Sequence, residues 1–212
     1  GFILLRGKVG FTLENRQKKR GDRFDGYWLR DEVPAMNQFM GYLLPNRADN
    51  EAFIEQSIDL RPMDAFLAKK NAGLEKDKYS YFHVILAACV KCFVLRPRMN
   101  RFISGNRIYQ RDHISVAFVV KKRFEDSSSE GLAYKRYTGD DTIDTLHASI
   151  LEEIYQCRRT DVEDNSNAFM QKLMRLPSWL LRLVVKILFK LDRKGKVPYD
   201  LIRTDPNYAS IF

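Results

Sequence analysis

Cys89-Val90-Lys91-Cys92 is the stretch whose residue types and spacing come nearest to chemistry. Two thiols three residues apart suit a redox pair or half of a zinc site. Zinc needs two further ligands at workable spacing, and Cys157 alone does not supply them. A redox pair keeps its thiolate at a helix N-terminus, whereas this pair lies inside an apolar run. The expectation is a pair of ordinary core cysteines. His83, His113 and His147 show neither metal-pair spacing nor a nucleophile and base within reach. His83 and His147 fall on expected helices, where a satisfied structural imidazole is the simplest state, and His113 precedes a strand. Asp140-Asp141 and Glu152-Glu153 are paired carboxylates. A helix start and a polar helix face explain them by capping and solvation, without acid–base work. No P-loop and no G-x-G-x-x-G is present. On these grounds no catalytic residue and no metal ligand is assigned, and cofactor-binding residues stay unknown.

The elements that would position any site begin with residues 79–124. Phe82, Val84, Ile85, Ala87, Ala88, Cys89, Val90, Cys92, Phe93 and Leu95 leave almost no polar face, which predicts a helix buried all round. Arg96-Pro97 ends it, since the residue before proline is pushed out of helical geometry. Ser104-Gly105-Asn106 is a turn before a short strand over 107–110. Residues 114–120 are β-branched or apolar almost throughout, as in a central strand covered on both faces. A helix feeding strands in this way builds a layered α/β core.

Elsewhere, residues 2–5 and 9–13 suit short strands, and 29–44 carry Val33, Met36, Phe39, Met40 and Leu43 near helical spacing behind Pro34. Residues 52–60 alternate, with Ile54, Ile58 and Leu60 on one side, and predict a half-buried strand. Arg61-Pro62 then opens a helix with Asp64 in its first turn, closed by Asn71-Ala72-Gly73. Residues 125–131, with Ser127, Ser128 and Ser129, read as a hairpin loop and 132–137 as the return strand. Gly139-Asp140-Asp141 precede a helix striped by Ile143, Leu146, Ile150 and Ile154, with Glu152, Glu153 and Arg158 outside. Residues 161–167 form a polar loop. In 178–191, Arg182, Lys186 and Lys190 recur every four residues on an otherwise apolar helix. Such a helix lies on a membrane surface or packs in a core or interface with its basic stripe in water.

The chain has 212 residues, enough for a substantial core, and 45% hydrophobic against 30% charged residues is the balance of a globular protein. Lys and Arg number 36 against 27 Asp and Glu, a formal charge of +9. Nucleic acid, a membrane or a polyanionic cofactor would suit such a surface, but solubility with a locally basic surface is the simpler reading. The run Arg16-Gln17-Lys18-Lys19-Arg20 is expected as a solvated loop, not a nucleic-acid site. Three cysteines make no disulfide framework and fit a reducing compartment. Residues 2–5 are too short for a signal peptide before Arg6, and no run reaches the ~18 apolar residues of a membrane span. The expected location is cytoplasmic.

The apolar helix, then Arg96-Pro97-x-x-Asn100, Asn106-Arg107-Ile108 and Ile114-Ser115-Val116-Ala117, resembles the chloramphenicol-acetyltransferase-like fold. More closely it is similar to the acyltransferase catalytic domains of 2-oxo acid dehydrogenase complexes and their stand-alone bacterial relatives. Gly21-Asp22-Arg23-x-Asp25-Gly26 resembles the entry to the domain in the stand-alone members. The resemblance runs from about Gly21 to Phe212. It implies an α+β two-layer sandwich, a mixed β-sheet with helices packed on one face, over residues 21–212, preceded by N-terminal strands and a basic loop over 1–20. It also implies acyl transfer between coenzyme A and a hydroxyl or thiol acceptor, without a metal, in a homotrimer. A helix pair covering the sheet and lining a substrate channel belongs to that fold, which favours a core or interface role for 178–191.

Family members take the acceptor's proton with a histidine in a motif of the type His-His-x-x-x-Asp-Gly. Nothing in residues 1–212 matches it. The resemblance therefore transfers no catalytic residue, and the expected domain is C-terminally incomplete and inactive as given. Ser210-Ile211-Phe212 reads as the opening of a strand. The alternatives are a non-catalytic binding or scaffold protein that keeps the fold, and a basic peripheral protein on a membrane surface.

Overall fold

The computed structural model describes residues 16–44, 51–121, 130–159, 173–197 and 208–212. The strands expected at 2–5 and 9–13, the Ser127–Ser129 loop and the polar loop at 161–167 lie outside these residues. The described chain is a mixed assembly of helices and small antiparallel sheets: β1 (Gly26–Trp28), α1 (Ala35–Leu43), α2 (Arg61–Lys70), α3 (Tyr81–Leu95), β2 (Arg101–Ser104), β3 (Arg107–Arg111), β4 (Ile114–Lys121), β5 (Glu130–Tyr137), α4 (Ile143–Arg159) and α5 (Ser178–Arg193).

Local chemistry explains most of these elements. The β2–β3 hairpin turns through Gly105 and Asn106, at φ 55° and 63°. Two successive left-handed residues match the twist of the strands they join, and Gly and Asn adopt that geometry at least cost. β1 adds to the other edge of β3, with Gly26 opposite Arg111 and Trp28 opposite Tyr109. A Cβ on Gly26 would lie 2.7 Å from the Gln110 carbonyl oxygen, so this approach requires glycine. α4 begins on Thr142, not on the expected Gly139-Asp140-Asp141. The Thr145 N–H donates to Thr142 Oγ1 at 3.2 Å, and the Thr142 N–H to Thr145 Oγ1 at 3.0 Å. Asp141 supports this cap through the Thr138 N–H and the Thr145 hydroxyl.

Four sequence expectations change. The alternating segment 52–60 is not a strand: no ladder forms, and Phe53 and Ile54 stand 92% and 90% exposed. Alternation supplies an apolar face, but a strand also needs an edge to bond. The predicted all-round burial of α3 is replaced by burial on one side. His83, Leu86 and Val90 are buried, while Ile85 and Leu95 are 51% and 60% exposed. Among the described residues β4 has one full-length partner in place of the two expected of a central strand. It pairs with β5 along Ile114–Tyr137 to Lys121–Glu130, and its other edge is met by Ser210 and Ile211, with one parallel bridge at Val116. In place of one mixed sheet, the described strands form a three-stranded and a two-stranded antiparallel sheet.

The core lies where α3 and α4 cover one face of the β4–β5 pair: Leu86, Val90, Val116, Tyr137, Leu146 and Ile150. Ile150 is fully buried. Burial of side chains this large contributes about 1.5–3 kcal/mol each, the main favourable term of this layer. Among the described residues no helix is long and apolar enough to cross a membrane.

Candidate functional site

Three constellations gather chemically capable groups, and each is set by elements far apart in the chain. The first grows from Gly21-Asp22-Arg23-Phe24-Asp25-Gly26. Gly21 turns at φ 103°, and Asp22 accepts the backbone N–H groups of Lys19 and Trp28 at 2.8 and 2.7 Å. Arg23 is thereby directed inward. Its Nε donates to Asp25 Oδ1 at 3.0 Å, Nη1 to Ser104 Oγ at 2.8 Å and to the Asp192 carbonyl, and Nη2 to Asp192 Oδ1 at 3.1 Å. The Arg23 and Asp25 side chains are each only 3% exposed. Burial works against the Arg23 charge, and the two carboxylates more than offset it, so the guanidinium stays charged. Arg111 stands 3.8 Å from Asp25 Oδ2 and donates to the Tyr208 carbonyl at 2.6 Å. Tyr208 donates its hydroxyl to Asp192, and burial with that carboxylate pushes its ionisation well up. The network clamps β1, the β2–β3 hairpin, the end of α5 and residue 208 together.

Beside it, Lys18 donates to Asp112 Oδ2 at 2.8 Å, and His113 Nδ1–H to Asp112 Oδ1 at 2.5 Å. On the other side of the ring, His113 Nε2 lies 3.1 Å from the Tyr134 hydroxyl, so the imidazole bridges Asp112 and Tyr134. Asp112 is held below the usual carboxylate range. Burial alone would raise it, and the His113 and Lys18 bonds overcome that cost. The basic run 16–20 is thus not wholly solvated: Lys18 serves this carboxylate, and Arg16 pairs with Glu32 at 2.6 Å. Sequence inspection missed the carboxylate–imidazole–phenol chain because Tyr134 lies on a different strand.

The second constellation joins α3 to α4. Tyr79 stacks on His147 with ring centroids 3.8 Å apart, and His83 lies 4.7 Å from the same ring. His83 Nδ1 accepts the Ser80 N–H at 3.0 Å, and Asp144 accepts from Lys70 Nζ at 2.6 Å and from the Tyr79 hydroxyl at 2.7 Å. Both histidines are buried, but the expected satisfied imidazoles are not found: among the described residues the Nε2 atoms of both lack a hydrogen-bond partner. Burial, then the neighbouring His147, pushes His83 below its ordinary value and keeps it neutral.

The third is apolar. Between α3 and β4, beside Ile211 and Phe212, a cleft of about 340 Å³ is lined by Phe82, Ile85, Cys89, Phe118 and Val119 among others. A second hollow of about 280 Å³ shares Phe82, Phe118 and Val119 and has Lys121 and Arg158 in its wall. Together they form an apolar trough with cationic groups at one end. Cys89 lines it half-buried, and Cys92 is exposed, so the expectation of two core cysteines is corrected. Burial, and then Cys92, raises the Cys89 thiol, the opposite of an activated nucleophile. None of the three histidines lines either hollow.

The other expected residues stay structural. Lys135 bridges Glu152 and Glu153 at 3.1 and 3.3 Å. Among the described residues no group of His, Cys, Asp or Glu could hold a metal ion. Ser210 is part of the β4 edge, where its N–H donates to the Ser115 carbonyl at 2.9 Å. Compared with models of protein families, with curated proteins and with solved structures, the chain shows no match.

Proposed function

We propose that this chain is an acyltransferase-family protein of the chloramphenicol-acetyltransferase-like class, and that residues 1–212 supply the pocket for the acyl group of an acyl-coenzyme A. The observation that carries this reading is the trough between α3 and β4. An acyl chain gains by leaving water against Phe82, Ile85, Phe118 and Val119. Its anionic carrier would lie toward Lys121 and Arg158. An extended, largely apolar group matches the lining of this trough. The homotrimer of the same class would bring a neighbouring subunit against the exposed flank of α3.

A second reading, binding without turnover, is favoured by the histidines. His113 is engaged by Asp112 and Tyr134, and His83 and His147 are buried between helices. None is poised to take a proton from an acceptor at the trough. Calorimetric titration with coenzyme A and with acyl-coenzyme A of increasing chain length tests the pocket. Affinity is expected to rise by about threefold to fourfold per added methylene until the trough is full. Val119→Trp, which fills the trough, is expected to abolish that increment while leaving the fold intact by circular dichroism. Equal affinity for free and acylated coenzyme A would refute the proposal. Release of coenzyme A thiol on adding acceptor alcohols separates the two readings.

A further inference from the structure

α5 is amphipathic in an unusual order. Leu180, Leu181, Val184, Leu188 and Leu191 are half-buried and form the side turned to the protein. Outward, Arg182, Lys186 and Lys190 make one exposed line at four-residue spacing. Apolar side chains flank it on both sides: Trp179, Leu183 and Ile187 are 69%, 49% and 47% exposed, and Phe189 is 64% exposed. Arg193, Lys194 and Lys196 continue the positive charge past the end of the helix, all exposed. Its carboxyl end is pinned by the Arg23 and Tyr208 bonds to Asp192. A helix anchored at its carboxyl end therefore presents both cations and large apolar groups outward.

We propose that this face docks the protein on an anionic lipid bilayer, lying in the plane of the headgroups without crossing it. The two chemistries on the face select this partner. Lipid phosphates match the six cations, and long Lys and Arg stems reach upward while their neighbours dip toward the acyl boundary. Trp179 and Phe189 are residues that settle at that depth. Nucleic acid would engage the cations and leave Leu183, Ile187 and Phe189 in water. The overall charge of +9 adds long-range attraction to the same surface. Docking is independent of the acyl pocket, which lies between α3 and β4.

The experiment is co-sedimentation of the intact chain with sucrose-loaded vesicles, either pure phosphatidylcholine or about one third phosphatidylglycerol. Binding is expected to the anionic vesicles alone, and to be lost as salt rises toward about 0.5 M. Each basic residue removed is expected to weaken partitioning about fivefold, so Arg182→Glu/Lys186→Glu/Lys190→Glu weakens it more than a hundredfold. Trp179→Ser/Phe189→Ser, which keeps every charge, is expected to weaken it at least tenfold. Anionic vesicles are expected to blue-shift the tryptophan emission, and Trp179→Phe to remove that shift. All variants are surface changes whose folding circular dichroism verifies. Absence of vesicle binding would overturn the proposal. So would full binding by the serine variant, which means charge adsorption only, or a dimer of the chain that the serine variant dissociates.

Discussion

Replacing Arg23 by methionine keeps the side-chain stem and removes the charge that holds the clamp together. The variant loses four donated bonds: one to Asp25, one to Ser104 and two to Asp192. Asp25 is the costly consequence. With its side chain 3% exposed, it keeps only Arg111 at 3.8 Å, beyond hydrogen-bonding distance. Stranding one member of a buried ion pair costs about 3–5 kcal/mol. Asp192 adds less, because its side chain is 31% exposed and retains the Tyr208 hydroxyl. A loss of about 4 kcal/mol is therefore expected, about a quarter or more of the stability of a typical domain. Urea unfolding followed by circular dichroism measures it, as a lower midpoint at unchanged slope. Arg23→Met/Asp25→Asn removes both charges, and it is expected to recover about 1–2 kcal/mol over the single variant. A loss below about 1 kcal/mol for Arg23→Met, or a double variant as unstable as the sum of its parts, would refute the reasoning.

Stability should fall in mild acid through His83. Its folded-state value lies below the ordinary 6.5, so the unfolded chain takes up the proton first as pH drops. The urea midpoint is expected to be level above about pH 7 and to decline below 6.5. His83→Phe, which removes the titrating group and keeps a ring between α3 and α4, should flatten that decline, and an unchanged slope would exclude His83 as its source. For the thiols, Cys92 is expected to react with Ellman's reagent before Cys89, which is half-buried and raised by burial. In a Cys157→Ser background, a fast phase that survives Cys92→Ser would contradict this order.

Some of this molecule is written locally. Pro62 and Asp64 open α2, Arg96-Pro97 closes α3, and Gly105-Asn106 turns the β2–β3 hairpin. Each depends on backbone preferences of a few adjacent residues, and each was legible from their types. The stripe of Leu146, Ile150 and Ile154 likewise announced which side of α4 is inside. The same logic overreached at 52–60 and around α3. An apolar pattern states what a segment gains from burial, not whether the fold supplies a surface to bury it against.

The candidate sites belong to that second category. Arg23 meets Asp192 across 169 positions, and His113 meets Tyr134 across 21. No spacing rule links such partners, because they converge only after strands and helices have docked. The trough exists for the same reason: α3 is buried on one flank, and among the described residues β4 is paired along one edge and met on the other by Ser210 and Ile211. By itself, the sequence determined helices, turns, charge and the absence of a recognisable catalytic motif, all of which follow from neighbours along the chain. Tertiary packing alone decided which carboxylate faces which cation and which apolar surfaces remain open, because burial depends on what the rest of the chain places opposite each residue.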